Sequence, residues 1–132
     1  MSPEKEDYLH KWLIKANEDI DVINYLSKEH PEQYTSALCF HSQQAVEKFL
    51  KAFLIYYDTE FKKVHDVDYL LTLCIDIDQT KFRDIDLKSL NDYGVSVRYP
   101  DDFLLPALTE SLYYKDAALE IKHIVENSIN FD

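Results

Sequence analysis

Three polar side chains on one helical stretch offer the first chemistry. Between Cys39 and Phe53 no glycine or proline interrupts a run of good or acceptable helix formers. His41, Gln44 and Lys48 fall at i, i+3 and i+7 on one line of that helix, with Lys51 beside them. An imidazole, an amide and an amine in a row could hold an anion or a base edge. The same spacing also arises on a solvated face, with His41 hydrogen-bonded locally. His65 either joins the row from the start of the next helix or helps to cap that helix. Arg98 and Tyr99 fall in a loop, where a guanidinium and a phenol could contact phosphate and base. Alternatively Arg98 pairs with Asp101 or Asp102. The candidate nucleotide- or anion-binding set is therefore His41, Gln44, Lys48, His65, Arg98 and Tyr99. Gln43 and Glu47 are expected at the surface or in an interface. Neither a catalytic nor a metal site is expected. Cys39 has no activating neighbour in sequence, and Cys39, His41 and His65 make an incomplete ligand set at unhelpful spacing.

The elements that must position these residues read as helices. Ser2-Pro3-Glu4 is a helix start, with a capping hydroxyl, a first-turn proline and an acid at the positive dipole end. Leu9, Trp12, Leu13, Ala16, Ile20, Ile23 and Leu26 then repeat at threes and fours to about residue 28, where Pro31 stops the run. A second helix is expected from Pro31 or Glu32 to about Tyr57, burying Leu38, Ala45, Phe49, Ala52 and Phe53. A polar connection over 58–63 follows, then a third helix capped by Asp66 that fades at 76–78. A short fourth helix is expected over about 84–93, with Gly94 as a left-handed stop. The last helix starts near Pro106. Ala117, Ile121 and Ile124 share one of its faces, and Leu108, Leu112 and Leu119 lie nearly opposite. Such a helix must meet two partners, within the bundle or in another subunit.

Composition sets the frame. One glycine in 132 residues disfavours sheet turns and phosphate-cradling loops. Apolar content of 46% favours a packed chain over a disordered one, and the length suits one domain, 1–132. The expected class is all-α, a four- to five-helix up-and-down bundle. A net charge of −11 argues against sequence-independent nucleic-acid binding, though not against a small basic pocket. No signal peptide or membrane span is indicated, and the two cysteines read as reduced thiols, so the expected location is cytoplasmic, with no membrane partner and no cofactor.

These landmarks together resemble the HEPN family (higher eukaryotes and prokaryotes nucleotide-binding). The first helix carries Trp12, Ala16 and Asp19. The second carries Phe40-His41-Ser42-Gln43-Gln44-Ala45-Val46-Glu47-Lys48-Phe49-Leu50-Lys51-Ala52, the most specific block. His65-Asp66-Val67 and Arg98-Tyr99-Pro100-Asp101 follow in the same order. The resemblance implies an all-α bundle that commonly forms a homodimer. It also implies a nucleotide or RNA as ligand and a minimal nucleotidyltransferase as partner, in some relatives as a toxin–antitoxin pair. Many members are, or are predicted to be, metal-independent ribonucleases with an Arg followed after four to six residues by His. Neither Arg98 nor Arg83 is followed by His at that spacing, and no other arginine exists. The reading is a noncatalytic nucleotide- or RNA-associated module. The alternatives are a divergent metal-independent ribonuclease and a dimeric structural adaptor without a ligand.

Overall fold

The computed structural model describes residues 1–94 and 105–131. Helix α1 runs Pro3–Glu29, capped by Ser2, whose hydroxyl accepts from the Lys5 amide at 3.1 Å. A single 3-10 turn, Pro31–Gln33, precedes α2, Thr35–Tyr56. The second helix thus starts a few residues later than expected, because the chain leaves the helical region at His30 (φ −147°, ψ 67°) and first tightens into that turn. Helix α3 is Val67–Ile77, capped by Asp66, whose carboxylate accepts from the Tyr69 amide at 3.1 Å. Helix α4 is the single turn Gln79–Phe82, and α5 is Leu108–Ser128. Every helix and 3-10 turn among the described residues belongs to one all-α bundle, and no strand occurs among them.

α2 is the axis of the bundle, packed against α1, α5 and α3. Fourteen of its 22 residues are buried. Leu38, Ala45, Phe49, Ala52 and Phe53 are fully inside, as the periodicity predicts. Each buried leucine or phenylalanine contributes about 1.5–3 kcal/mol of transfer free energy. On α5 the expected division into two faces resolves unequally. Ala117 and Ile121 join the core with Tyr114, Ala118 and Val125, and Leu119 and Ile124 pack partly against it. Leu108 stays exposed.

The expected fourth helix over 84–93 is corrected. The chain makes only α4 and, later, a 3-10 turn at Leu90–Tyr93. Between them Lys88 sits at φ +46°, a left-handed conformation that interrupts any helix, and the Asp86 carboxylate accepts from its amide at 3.0 Å. Gly94 is not a left-handed stop either, since its φ is −74°. Its small size serves a close approach: a Cβ there would lie 3.2 Å from Gln43 Nε2.

Candidate nucleotide site on the second helix

At 100° per residue, Gln43, Glu47, Lys51, Gln44, Lys48 and His41 fill a continuous arc of about 160° on α2. Two acids organise it. From α1, Asp19 accepts from Lys48 Nζ at 2.7 Å and lies 2.9 Å from His41 Nδ1. α1 and α2 run antiparallel, which brings Asp19 level with this part of α2. The Asp19 side chain is only 10% exposed, so its two partners replace water that it has lost.

Glu47 repeats the arrangement one turn along and deeper. It accepts from Lys51 Nζ at 3.0 Å and lies 3.1 Å from His65 Nδ1. The Glu47 and Lys51 side chains are 5% and 8% exposed, a desolvated ion pair, whereas the imidazole of His65 is 81% exposed. Gln43 fastens the loop to this centre, donating to the His65 carbonyl at 3.0 Å, and its oxygen accepts from Gln44 Nε2 at 2.7 Å. Gln43 and Glu47 are therefore interior residues, not surface ones; their burial comes from α2 being covered on several sides.

Beside this second cluster opens a cavity of about 350 Å³ lined by Tyr8, Trp12, Lys51, Phe61, Lys63 and His65. Tyr8 and Trp12 come from α1 and meet edge to face, with ring centres 6.2 Å apart. Lys51 Nζ lies 5.5 Å from the centre of the Trp12 ring, within cation–π range. The indole Nε1 of Trp12 is buried with no acceptor among the described residues, an unmet bond costing about 1–3 kcal/mol. Every ionisable wall residue of the cavity other than Tyr8 is a base, although the chain as a whole is strongly acidic. A larger hollow of about 440 Å³ lies elsewhere, ringed by Lys88, Ser89, Thr109, Glu110, Tyr113 and Tyr114. It contains no residue of the α2 block, and its one lysine already rests 4.0 Å from the Tyr113 ring centre.

The six candidates thus separate. His41 and Lys48 meet on Asp19, while Gln44 turns to Gln43 and so reaches the Glu47 cluster. His65 stands at that cluster and on the cavity wall. Its neighbour Asp66, rather than its own side chain, caps α3. Arg98 and Tyr99 lie outside the described residues. Sequence reasoning missed Asp19 and Glu47 as the acids that hold the row, and Tyr8, Trp12, Phe61 and Lys63 as walls. The contiguous polar arc carried a signal for Glu47, and the place of Asp19 among Trp12, Ala16 and Ile23 on the apolar side of α1 carried one for a buried acid; which partners it takes is tertiary and left none. Cys39 is no nucleophile: burial, then the nearby Glu110 carboxylate, pushes its thiol up to about 12. Burial also raises the Cys74 thiol.

The HEPN domain family matches residues 9–131, nearly the whole chain. No curated protein and no solved structure matches it significantly.

Proposed function

The chain belongs to the HEPN domain family, and from that premise we propose that it is a noncatalytic nucleotide- or RNA-associated binding module. The observation that carries this reading is the cavity beside α2, where aromatic rings and bases converge on a chain that is otherwise acidic. Rings offer a stacking surface to any base, and ammonium groups attract phosphate. His41 and Lys48 stand apart from the cavity, held on Asp19, which already takes the charge of Lys48. The missing Arg-to-His spacing favours binding over cutting. The family resemblance further supports a homodimer working with a minimal nucleotidyltransferase, in a toxin–antitoxin setting.

Calorimetry of the full chain with nucleoside mono- and triphosphates and a short oligoribonucleotide tests the binding reading. Heat of binding from at least one of them is expected; silence across the whole set rejects it. Copurification of the co-expressed nucleotidyltransferase, and a dimer by sedimentation, are the expected results for the partners.

A divergent ribonuclease is the second reading. It is favoured by the two imidazoles whose Nδ1 atoms meet carboxylates, an arrangement that readies the other ring nitrogen for proton transfer. Cleavage of single-stranded RNA in excess chelator, lost in Arg98→Ala, would favour it over the binding module. No cleavage, or equal rates, would remove it.

A further inference from the structure

Nucleotide and RNA make different demands, and the cavity distinguishes them. Its volume of about 350 Å³ is at the small end of ligand pockets, which span about 300–1,000 Å³. It has aromatic walls on two sides, Tyr8 and Trp12 from α1 and Phe61 from the connection before α3. Its bases are not equivalent. Lys51 is engaged by Glu47 and faces Trp12, and His65 shares the same carboxylate. Lys63 is exposed and has no carboxylate partner among the described residues, so its ammonium is the one available to an incoming anion.

Beyond the walls the basic surplus ends. Glu60 adjoins Phe61 in sequence and is exposed; Asp7 adjoins Tyr8, is also exposed and is paired with Lys11 at 3.1 Å. A strand threaded through the cavity would lay its next phosphates near these carboxylates, on a chain of net charge −11. Polyanion binding depends on neutralising successive phosphates, and the exposed bases here, Lys62, Lys63 and His65, make one short run. A single nucleotide places one phosphate there and leaves nothing outside.

We infer that the cavity of Tyr8, Trp12, Lys51, Phe61, Lys63 and His65 is a mononucleotide site, stacking one base on its rings and holding a terminal phosphate at Lys63 and His65. This rests on the nucleotide-associated reading above and narrows it to a free nucleotide rather than a strand.

Trp12 is the only tryptophan, so its emission reports directly on a base stacked in the cavity. Full-length protein is titrated with the four nucleoside 5′-monophosphates, the matching nucleosides, and a mixed-sequence hexaribonucleotide with hydroxyl ends, following fluorescence and heat. Wild type is compared with Lys63→Glu and with Lys28→Glu, the same charge change roughly 24 Å along α1 from Trp12. Circular dichroism confirms that each exposed-lysine variant stays helical. At least one monophosphate is expected to quench Trp12, with its nucleoside binding roughly tenfold weaker or worse. Lys63→Glu is expected to weaken the monophosphate about tenfold or more, and Lys28→Glu to leave it within about twofold. A hexanucleotide that binds tighter than any monophosphate overturns the inference in favour of a strand. So does a nucleoside that binds as well as its monophosphate. A monophosphate that binds without quenching Trp12 and regardless of Lys63→Glu overturns the site while leaving nucleotide association standing. Absence of binding by every probe defeats both.

Discussion

Asp19 and Glu47 hold similar sets of partners, a lysine and an imidazole Nδ1 each, yet burial separates their energetics. Lys48 is 22% exposed and His41 28%, so both can recover water if Asp19 is neutralised. Lys51 is 8% exposed and cannot. Removing one member of a buried pair costs about 3–5 kcal/mol, whereas a partly solvated pair costs nearer 1 kcal/mol. Glu47→Gln is therefore expected to destabilise by about 3 kcal/mol or more and Asp19→Asn by about 1–2 kcal/mol. Urea unfolding of the two variants measures the difference; the reverse order would show that burial does not set the cost. Much of this was legible in the sequence at the level of α2, because residue type and spacing fix which side chains share its arc. What they share it with was not. By 100° steps Asp19 falls beside Trp12, Ala16 and Ile23 on the apolar side of α1, so its burial was legible; the pair of side chains on α2 that it meets was not.

At the scale of elements, the connection between α2 and α3 forms one wall of the cavity and depends on the cap that follows it. The Asp66 carboxylate accepts from the Tyr69 amide and, at 2.8 Å, from Asn91 Nδ2, and these bonds hold its pKa below the usual carboxylate range. Its anion is thus favoured by folding. The contribution is full above the unfolded-state pKa of about 3.9 and is lost as pH falls through the lower folded value. Asp68 runs the other way, raised by burial and by the charges of Asp66 and Asp86, so the effect must be read as a difference between proteins. Asp66→Ala is expected to cost about 1 kcal/mol at pH 7, with the gap from wild type shrinking in acid. A gap independent of pH would rule out the charged cap. The start of α3 was readable from Asp66 because capping is local. The failed expectation over 84–93 was not, since apolar spacing persists through Ile85, Leu87 and Leu90 while Lys88 adopts a left-handed conformation.

Across the whole molecule, 25 acidic residues face 14 basic ones, and the bases best placed to offset them are partly spent on Asp19 and Glu47. The remaining acids repel one another at low ionic strength. Stability should rise with added salt, by about 2–4 °C in Tm between roughly 10 mM and 0.3 M sodium chloride. Thermal melts monitored by circular dichroism test this, and a falling Tm would mean that exposed ion pairs outweigh repulsion. The fold class was the most legible feature, because one glycine and long uninterrupted helical patterns leave little room for another architecture. Among the described residues no helix is long and apolar enough to cross a membrane.

One contact ties the beginning of α1 to the end of α2. Lys5 Nζ donates to the Tyr56 carbonyl at 2.8 Å and pairs with Asp58 at 3.0 Å, just where Asp58 turns the chain at φ +53° toward Phe61 and Lys63. The last turn of α2 therefore borrows its terminal cation from a segment 51 residues upstream. In hydrogen exchange, the amides of Tyr57, Asp58 and Thr59 should open together with the first turn of α1 rather than with their own helix. Replacing Lys5 by Met should speed their exchange while leaving the middle of α2 protected. The clasp makes the start of α1 and the end of α2 fray as one unit.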